Sequence, residues 1–209
     1  MRVRMSLTDP SGSCHQYRQE MKNGKRHRAE VANSLPEWER EFMSYKALKK
    51  QVKLIHYQLQ SGNNTSGIGN GDRSNGGTDD LGIGFSQLLD SELEKVNKFY
   101  ADKEEDYIIR LKEIQIKVTN LVSNEEKLIV QKDILDFHAE MVLLLHYSVV
   151  NYTGLVKIVK KHKKRAGESI GWGYAPRVFQ QPFFSTELLY KLMKECEAML
   201  SFLSVRDEP

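Results

Sequence analysis

Between Phe85 and Leu121 the apolar residues Phe85, Leu89, Leu93, Val96, Tyr100, Tyr107, Leu111, Ile114, Val118 and Leu121 follow one another at steps of three, four or seven. An α-helix turns once in 3.6 residues, so this spacing lays them along one stripe of a single long helix. Such a stripe cannot bury itself. It needs partner helices, and its period is that of a bundle or coiled coil.

The partners are legible on either side. A second long helix reads from Glu125 to about Arg165 through Leu128, Ile134, Phe137, Met141, Leu145, Val149, Tyr152 and Val156. Ser123 or Asn124 caps its start, and Gly167 supplies a left-handed stop. Upstream, a short helix is expected from Met21 to about Asn33. Leu35-Pro36-Glu37-Trp38 then opens another, with Ser34 as N-cap and Pro36 in the first turn. That helix should run to about Gln60 through Trp38, Phe42, Tyr45, Leu48, Val52 and Ile55. Ser185 caps a last helix carrying Glu187, Leu188, Leu192, Cys196, Met199 and Leu200. No strand pattern stands out. The expected class is all-α: an N-terminal helical hairpin, two long helices forming a bundle, and a short C-terminal helix.

The remainder reads as connection. Residues 1–20 lack an apolar period and form a flexible extension, and residues 204–209 form a tail. Residues 61–84 hold eight of the chain's fourteen glycines and read as a disordered linker unable to hold a packed element. Residues 167–182, with Gly167, Gly171, Gly173, Pro176 and Pro182, read as a loop.

The net charge is only +3 over 209 residues, so the whole chain is no nucleic-acid-binding polycation. Its positive charge is local. Residues 157–165 carry six Lys or Arg and no acid, while an acidic stretch runs from Asp102 to Asp106. Cys14 and Cys196 make neither a disulfide framework nor a metal site and suit a reducing compartment. With no signal-peptide pattern and no apolar run long enough to span a membrane, the expectation is a protein of the nucleus or cytoplasm. The sequons at Asn63, Asn64 and Asn151 are then chance matches.

On a helix, Lys157, Lys160, Lys161 and Lys164 stand at i, i+3, i+4 and i+7 and share a stripe, with Leu155, Ile158 and Val159 on or near the other side. The plain reading is a solvated face. Three features favour an anion site instead. No acid is interleaved to relieve the repulsion, the stripe lies at the C-terminal end of its helix where the macrodipole favours cations, and a second basic set could converge on it. That set is Lys46, Lys49, Lys50 and Lys53, with Tyr45 one turn before Lys49. Ammonium groups donate from compact point charges, which suits a ligand with phosphates pointing in several directions. Lys160 to Arg165 also fits a nuclear-import signal, ranked lower because such signals work best in extended chain.

Catalysis finds little support. There is no phosphate-cradling glycine motif, no metal-ligand spacing and no nucleophile elbow, and neither an enzyme nor a cofactor or metal is expected. His138, near Asp133, Asp136 and Glu140, reads as structural. His162 reads as a bystander off the lysine stripe, and Trp38 and Trp172 as packing residues.

Three stretches together resemble a known family. Met21-Lys22-Asn23-Gly24-Lys25, Leu35-Pro36-Glu37-Trp38 and Tyr45-Lys46-Ala47-Leu48-Lys49-Lys50 resemble the opening of an SPX domain. Asn151-Tyr152-Thr153-Gly154-Leu155-Val156-Lys157-Ile158-Val159-Lys160-Lys161-His162 resembles its lysine-rich signature. Gln180-Gln181-Pro182-Phe183-Phe184-Ser185 and Cys196-Glu197-Ala198-Met199-Leu200 resemble its C-terminal part. The match covers residues 21–203 and most resembles the small stand-alone SPX proteins of plants.

The resemblance implies an SPX-type bundle that binds inositol pyrophosphates or inositol polyphosphates through Tyr45, Lys49, Lys157, Lys160, Lys161 and Lys164, with Lys22 and Lys25 assisting. It further implies that the ligand-loaded protein binds and inhibits a MYB/coiled-coil phosphate-starvation-response transcription factor, without contacting DNA or membrane itself. Alternatives are an SPX regulatory module of a transporter, polyphosphate polymerase or ubiquitin ligase, and a helical nucleic-acid-binding protein. The end of the sequence at residue 209 favours the stand-alone form. Against the family pattern, residues 1–20 are an extension, Asn23 stands where an aromatic is usual, Lys163 stands where Asp is common, and residues 166–177 read differently.

Overall fold

The protein's computed structural model describes residues 24–63, 76–166 and 180–205. Among these residues every regular element is helical. The order is α1 (Gly24–Ala32), a 3-10 turn (Pro36–Trp38), α2 (Tyr45–Asn63), α3 (Gly76–Thr119), α4 (Asn124–Ala166), a second 3-10 turn (Pro182–Phe184) and α5 (Glu187–Val205). The two long helices pack on each other, α2 lies along α3 and α4, α5 closes against both, and α1 rests on α4. This is the all-α bundle expected from the spacing.

The α3 stripe is the core seam: Phe85 to Val118 of that series are buried, and Leu121 is partly so. The turn into α4 is a reciprocal cap. Ser123 Oγ accepts the Glu126 N–H at 3.1 Å, and Glu126 Oε2 accepts the N–H groups of Val122 (3.0 Å) and Ser123 (3.4 Å). On α4 the phase differs from the sequence reading. Ile134, Phe137 and Met141 are buried, but Leu128 and Val149 are 67% and 61% exposed. The true core face adds Val130, Leu144, Tyr147, Ser148, Asn151, Leu155 and Ile158. Its middle stretch, residues 141–156, holds no Asp, Glu, Lys or Arg, so periodicity does not fix which side turns inward there.

That same composition corrects the reading that no apolar run is long enough to span a membrane. A window of 18 residues within Asn124–Arg165 has a mean hydropathy of 1.4, long and apolar enough by length and composition alone. Here it is the bundle's central helix, with 44% of that window buried, and it holds the buried polar residues Ser148 and Asn151. Both are hydrogen-bonded, Ser148 Oγ to the Phe183 carbonyl at 2.6 Å and Asn151 Nδ2 to the Tyr147 carbonyl at 2.9 Å.

Three boundaries differ from expectation. The helix expected from Pro36 to Gln60 is broken: after one 3-10 turn the chain stays non-helical until α2 begins at Tyr45. Trp38, Phe42 and Met43 all enter one core here, against Phe99 and Tyr147 in the case of Trp38. The N–H groups that a helix would use internally go elsewhere, Met43 to Asn151 Oδ1 and Ser44 to Glu92 Oε2, both at 2.8 Å. Ser34 does not cap, because the residue before the turn is Leu35 and no side chain caps it. Residues 61–63 and 76–84, expected as linker, belong to α2 and α3. Helix propagates outward from a packed residue at little extra cost, and buried Phe85 supplies that anchor. The remainder of the linker, residues 1–20, residues 206–209 and most of 167–182 lie outside the described residues, while residues 204 and 205, expected as tail, belong to the last helix. At the other end α5 starts at Glu187, two residues after Ser185.

Candidate functional site

The end of α4 is built from two surfaces. Leu155 and Ile158 face the core and are fully buried, which turns Lys157 between them, and the lysines that follow, away from it. The stripe then divides: Lys157 and Lys161, one turn apart, are half-buried, while Lys160 and Lys164 are exposed. From α2, Tyr45 and Lys49 are half-buried and Lys46, Lys50 and Lys53 are exposed. The two basic sets do converge. The Lys161 ammonium is pushed below the usual lysine range, first by burial, then by the charges of Lys49, Arg165 and Lys53. A lysine whose charge is disfavoured by three other cations sits where an anion would be stabilised. Among the described residues no carboxylate pairs with Lys49, Lys53, Lys160, Lys161 or Lys164. Lys22 lies outside the described residues. Lys25 falls on α1, but its side chain lies outside them too.

The wall opposite α4 is held by buried polar contacts. Asn151, fully buried on the same helix as Lys157 and N-terminal to it, accepts the Met43 N–H, and Tyr147 Oη donates to the Glu41 carbonyl at 2.9 Å. Glu92 on α3 accepts from Ser44 N–H and from Lys95 Nζ at 2.7 Å. Although burial opposes its charge most strongly, the contacts of Lys95 and Ser44 hold its carboxyl below the usual range. These bonds fix residues 41–44, and with them the start of α2, so that Tyr45 is delivered beside the lysine face. Burial raises the pKa of the Tyr45 phenol and keeps it a donor.

Sequence reasoning missed three contributors. His27 on α1 packs its ring against Tyr45, with centroids 5.3 Å apart, and over Gly154, where a Cβ would stand 3.2 Å from the imidazole. Asn151, dismissed as part of a chance sequon, is the pin of the wall. His162 does lie off the lysine stripe, yet it is 1% exposed and stacked on Phe85. His138 Nε2 lies 3.8 Å from Glu197 Oε1 and has no hydrogen-bond partner among the described residues, while its neighbour Glu140 is engaged by Lys103, Arg110 and Tyr107. Trp38 is a packing residue, 2% exposed. Trp172 lies outside the described residues. Cys196 is free and buried, its thiol pushed up to about 11, and among the described residues no cluster of His, Cys, Asp and Glu could hold a metal.

A helical bundle that brings lysines of two helices together in this way has the charge of a surface able to receive a multiply charged anion. No family model matches the chain. Curated relatives do. The chain is 47% identical over 185 residues to SPX domain-containing protein 1 of Arabidopsis thaliana, spanning 86% of this chain and 70% of that protein. It is 46% identical over 198 residues to SPX domain-containing protein 1 of Oryza sativa subsp. indica, spanning 90% and 67%. The chain therefore belongs to the SPX domain-containing proteins. A solved structure shares the bundle with a TM-score of 0.70 at 26% identity, covering 88% of this chain and 99% of the other: the SPX domain of Chaetomium thermophilum glycerophosphodiester phosphodiesterase 1 in complex with inositol hexakisphosphate.

Proposed function

We propose that this protein reports phosphate status by binding inositol polyphosphates or pyrophosphates on the face formed by Tyr45, Lys49, Lys157, Lys160, Lys161 and Lys164, with Lys22 and Lys25 assisting. The observation that carries the reading is the approach of Lys49 and Lys53 to a half-buried Lys161 with no carboxylate among the described residues paired to any of the three. Support also comes from the inositol hexakisphosphate bound by the similar SPX domain. A ligand with several phosphates relieves the repulsion between helices and draws α1, α2 and α4 together through charge-assisted hydrogen bonds. The ordered rim, with its ligand, is then the surface that a MYB/coiled-coil transcription factor recognises in the nucleus or cytoplasm. Binding there withholds the factor from DNA, and ligand and factor strengthen each other's binding reciprocally.

Titration calorimetry with inositol hexakisphosphate tests the site. The triple variant Lys157→Ala, Lys160→Ala, Lys161→Ala is expected to lose at least about a hundredfold in affinity, some 2.7 kcal/mol. Unchanged affinity rejects the assignment. Co-purification with a candidate factor, with and without the ligand, tests the adaptor step: capture indifferent to ligand rejects it.

A further inference from the structure

Among the described residues, His27 is a titratable side chain that ties α1 to both walls of the lysine face. Its ring rests over Gly154, one turn before Lys157 on α4, and against Tyr45 at the start of α2. The absence of a Cβ at Gly154 is what admits the ring, because a methyl there would stand 3.2 Å from Cε1. Its Nε2 is buried and has no hydrogen-bond partner among the described residues. An imidazole placed in this way is held one N–H short of its bonding capacity, next to a surface made for phosphates.

We propose that His27 is a proton-coupled member of the anion site, neutral while the lysine face is empty and protonated when a polyphosphate occupies it. This rests on the polyphosphate reading above. The groups that bear on the ring are few. From α4, the charge of Lys157 opposes protonation; from α1, Glu30 favours it; the Met43 backbone favours it through a hydrogen bond; and the Tyr45 phenol beside it is neutral. Glu30 is itself tied to α4, its carbonyl 3.0 Å and its carboxylate 3.9 Å from His146 Nε2. Burial outweighs the favourable contacts and leaves the empty-site imidazole below its ordinary range. A polyanion changes one quantity in that balance, the sign of the charge next to Lys157 and Tyr45. Opposite charge within a few ångströms raises an imidazole pKa, and near-neutral pH is where that change moves a proton. Binding therefore takes up a proton at His27, and the first helix is clamped more firmly as pH falls.

Calorimetry with inositol hexakisphosphate at pH 7, run in buffers of different ionisation enthalpy, counts protons taken up on binding. The ligand's own phosphates also titrate, so the informative quantity is the difference between the wild-type protein and His27→Gln. The wild type is expected to take up at least roughly half a proton more. In the unaltered protein, the NMR titration midpoint of the His27 imidazole is expected to rise by about one pH unit or more on saturation with the ligand. Measurable binding with equal proton uptake, or an unmoved midpoint, overturns the role of His27 alone. Absence of any binding overturns the polyphosphate reading and this proposal together.

Discussion

The His162 imidazole lies flat against the Phe85 ring, with centroids 4.1 Å apart and planes 7° from parallel. This stack joins the early part of α3 to the end of α4 directly beneath the lysine face. Phe85 and His162 are each 1% exposed, and His162 Nε2 has no hydrogen-bond partner among the described residues. The cation-bearing end of α4 is thus anchored through a neutral ring flanked in sequence by Lys161 and Lys163.

Burial holds the His162 imidazole below its ordinary value of 6.5. The unfolded chain then takes up this proton at a higher pH than the folded one. Stability contributed by neutral His162 is complete above about pH 7 and is lost as pH falls through 6.5 towards the depressed folded value. His27 contributes with the same sign in the unliganded protein. Urea melts at pH 5, 6, 7 and 8 are expected to show stability rising with pH across that window, with a smaller slope in His162→Phe. An identical slope in the variant would mean that His162 is not held neutral in the fold.

Asn151→Ala is expected to lower stability by about 1–3 kcal/mol, because the buried Met43 N–H loses its 2.8 Å acceptor and water cannot replace it. The same change frees residues 41–44, which deliver Tyr45 to the lysine face. Affinity for inositol hexakisphosphate should fall several-fold although Asn151 itself is fully buried. Urea melts and calorimetry on the same preparation check both halves. A stability loss without any change in affinity would show that Tyr45 is positioned by other contacts.

Glu140 provides the contrasting case. Its carboxylate meets Arg110 at 2.8 Å and Lys103 at 3.2 Å and accepts from Tyr107 Oη at 3.1 Å. It stands about 31 Å along α4 from Lys161, at 1.5 Å rise per residue. Glu140→Gln should cost about 1–2 kcal/mol of stability, since two charge-assisted bonds weaken while Lys103 and Arg110 can still reach water. Its affinity for inositol hexakisphosphate should stay within about twofold of the wild type. A large affinity loss in this variant would place the ligand elsewhere on the bundle.

Much of this was readable from spacing. The α3 stripe gives its own buried face because it keeps helical spacing from Phe85 to Leu121, even though Ile109 and Ile116 on the same helix are exposed. The stripe on α4 does not, because Leu128 and Val149 are at least as apolar as Val130, Leu144, Tyr147, Ser148 and Asn151, which the core takes instead, and only the neighbouring helices decide the phase. The lysine face was legible as charge on a helix, and its division into half-buried Lys157 and Lys161 and exposed Lys160 and Lys164 was not. That division depends on how closely α2 approaches. The break before Tyr45 escaped a local reading because its causes, Asn151 and Glu92, lie 108 and 48 residues away in sequence from the N–H groups they bind. His27 and Gly154 carry no motif of their own; they matter through a contact between elements that are distant in sequence.

The division of the lysine face sets an order among its members. Lys161 is half-buried and its charge is disfavoured by burial and by Lys49, Arg165 and Lys53, so removing it relieves the empty protein. Lys161→Ala should leave the urea midpoint unchanged or raised, while affinity for inositol hexakisphosphate falls by tenfold or more, about 1.4 kcal/mol. Lys164 is exposed and water screens it, so Lys164→Ala should cost less than about threefold. Raising ionic strength from 0.15 to 1 M shortens the screening length from about 8 Å to 3 Å and should erase most of the Lys164 effect. The Lys161 effect should largely persist, because a half-buried charge is screened less. Equal losses in the two variants, or equal salt sensitivity, would mean that the ligand lies on the outer surface of α4 and does not reach between α4 and α2.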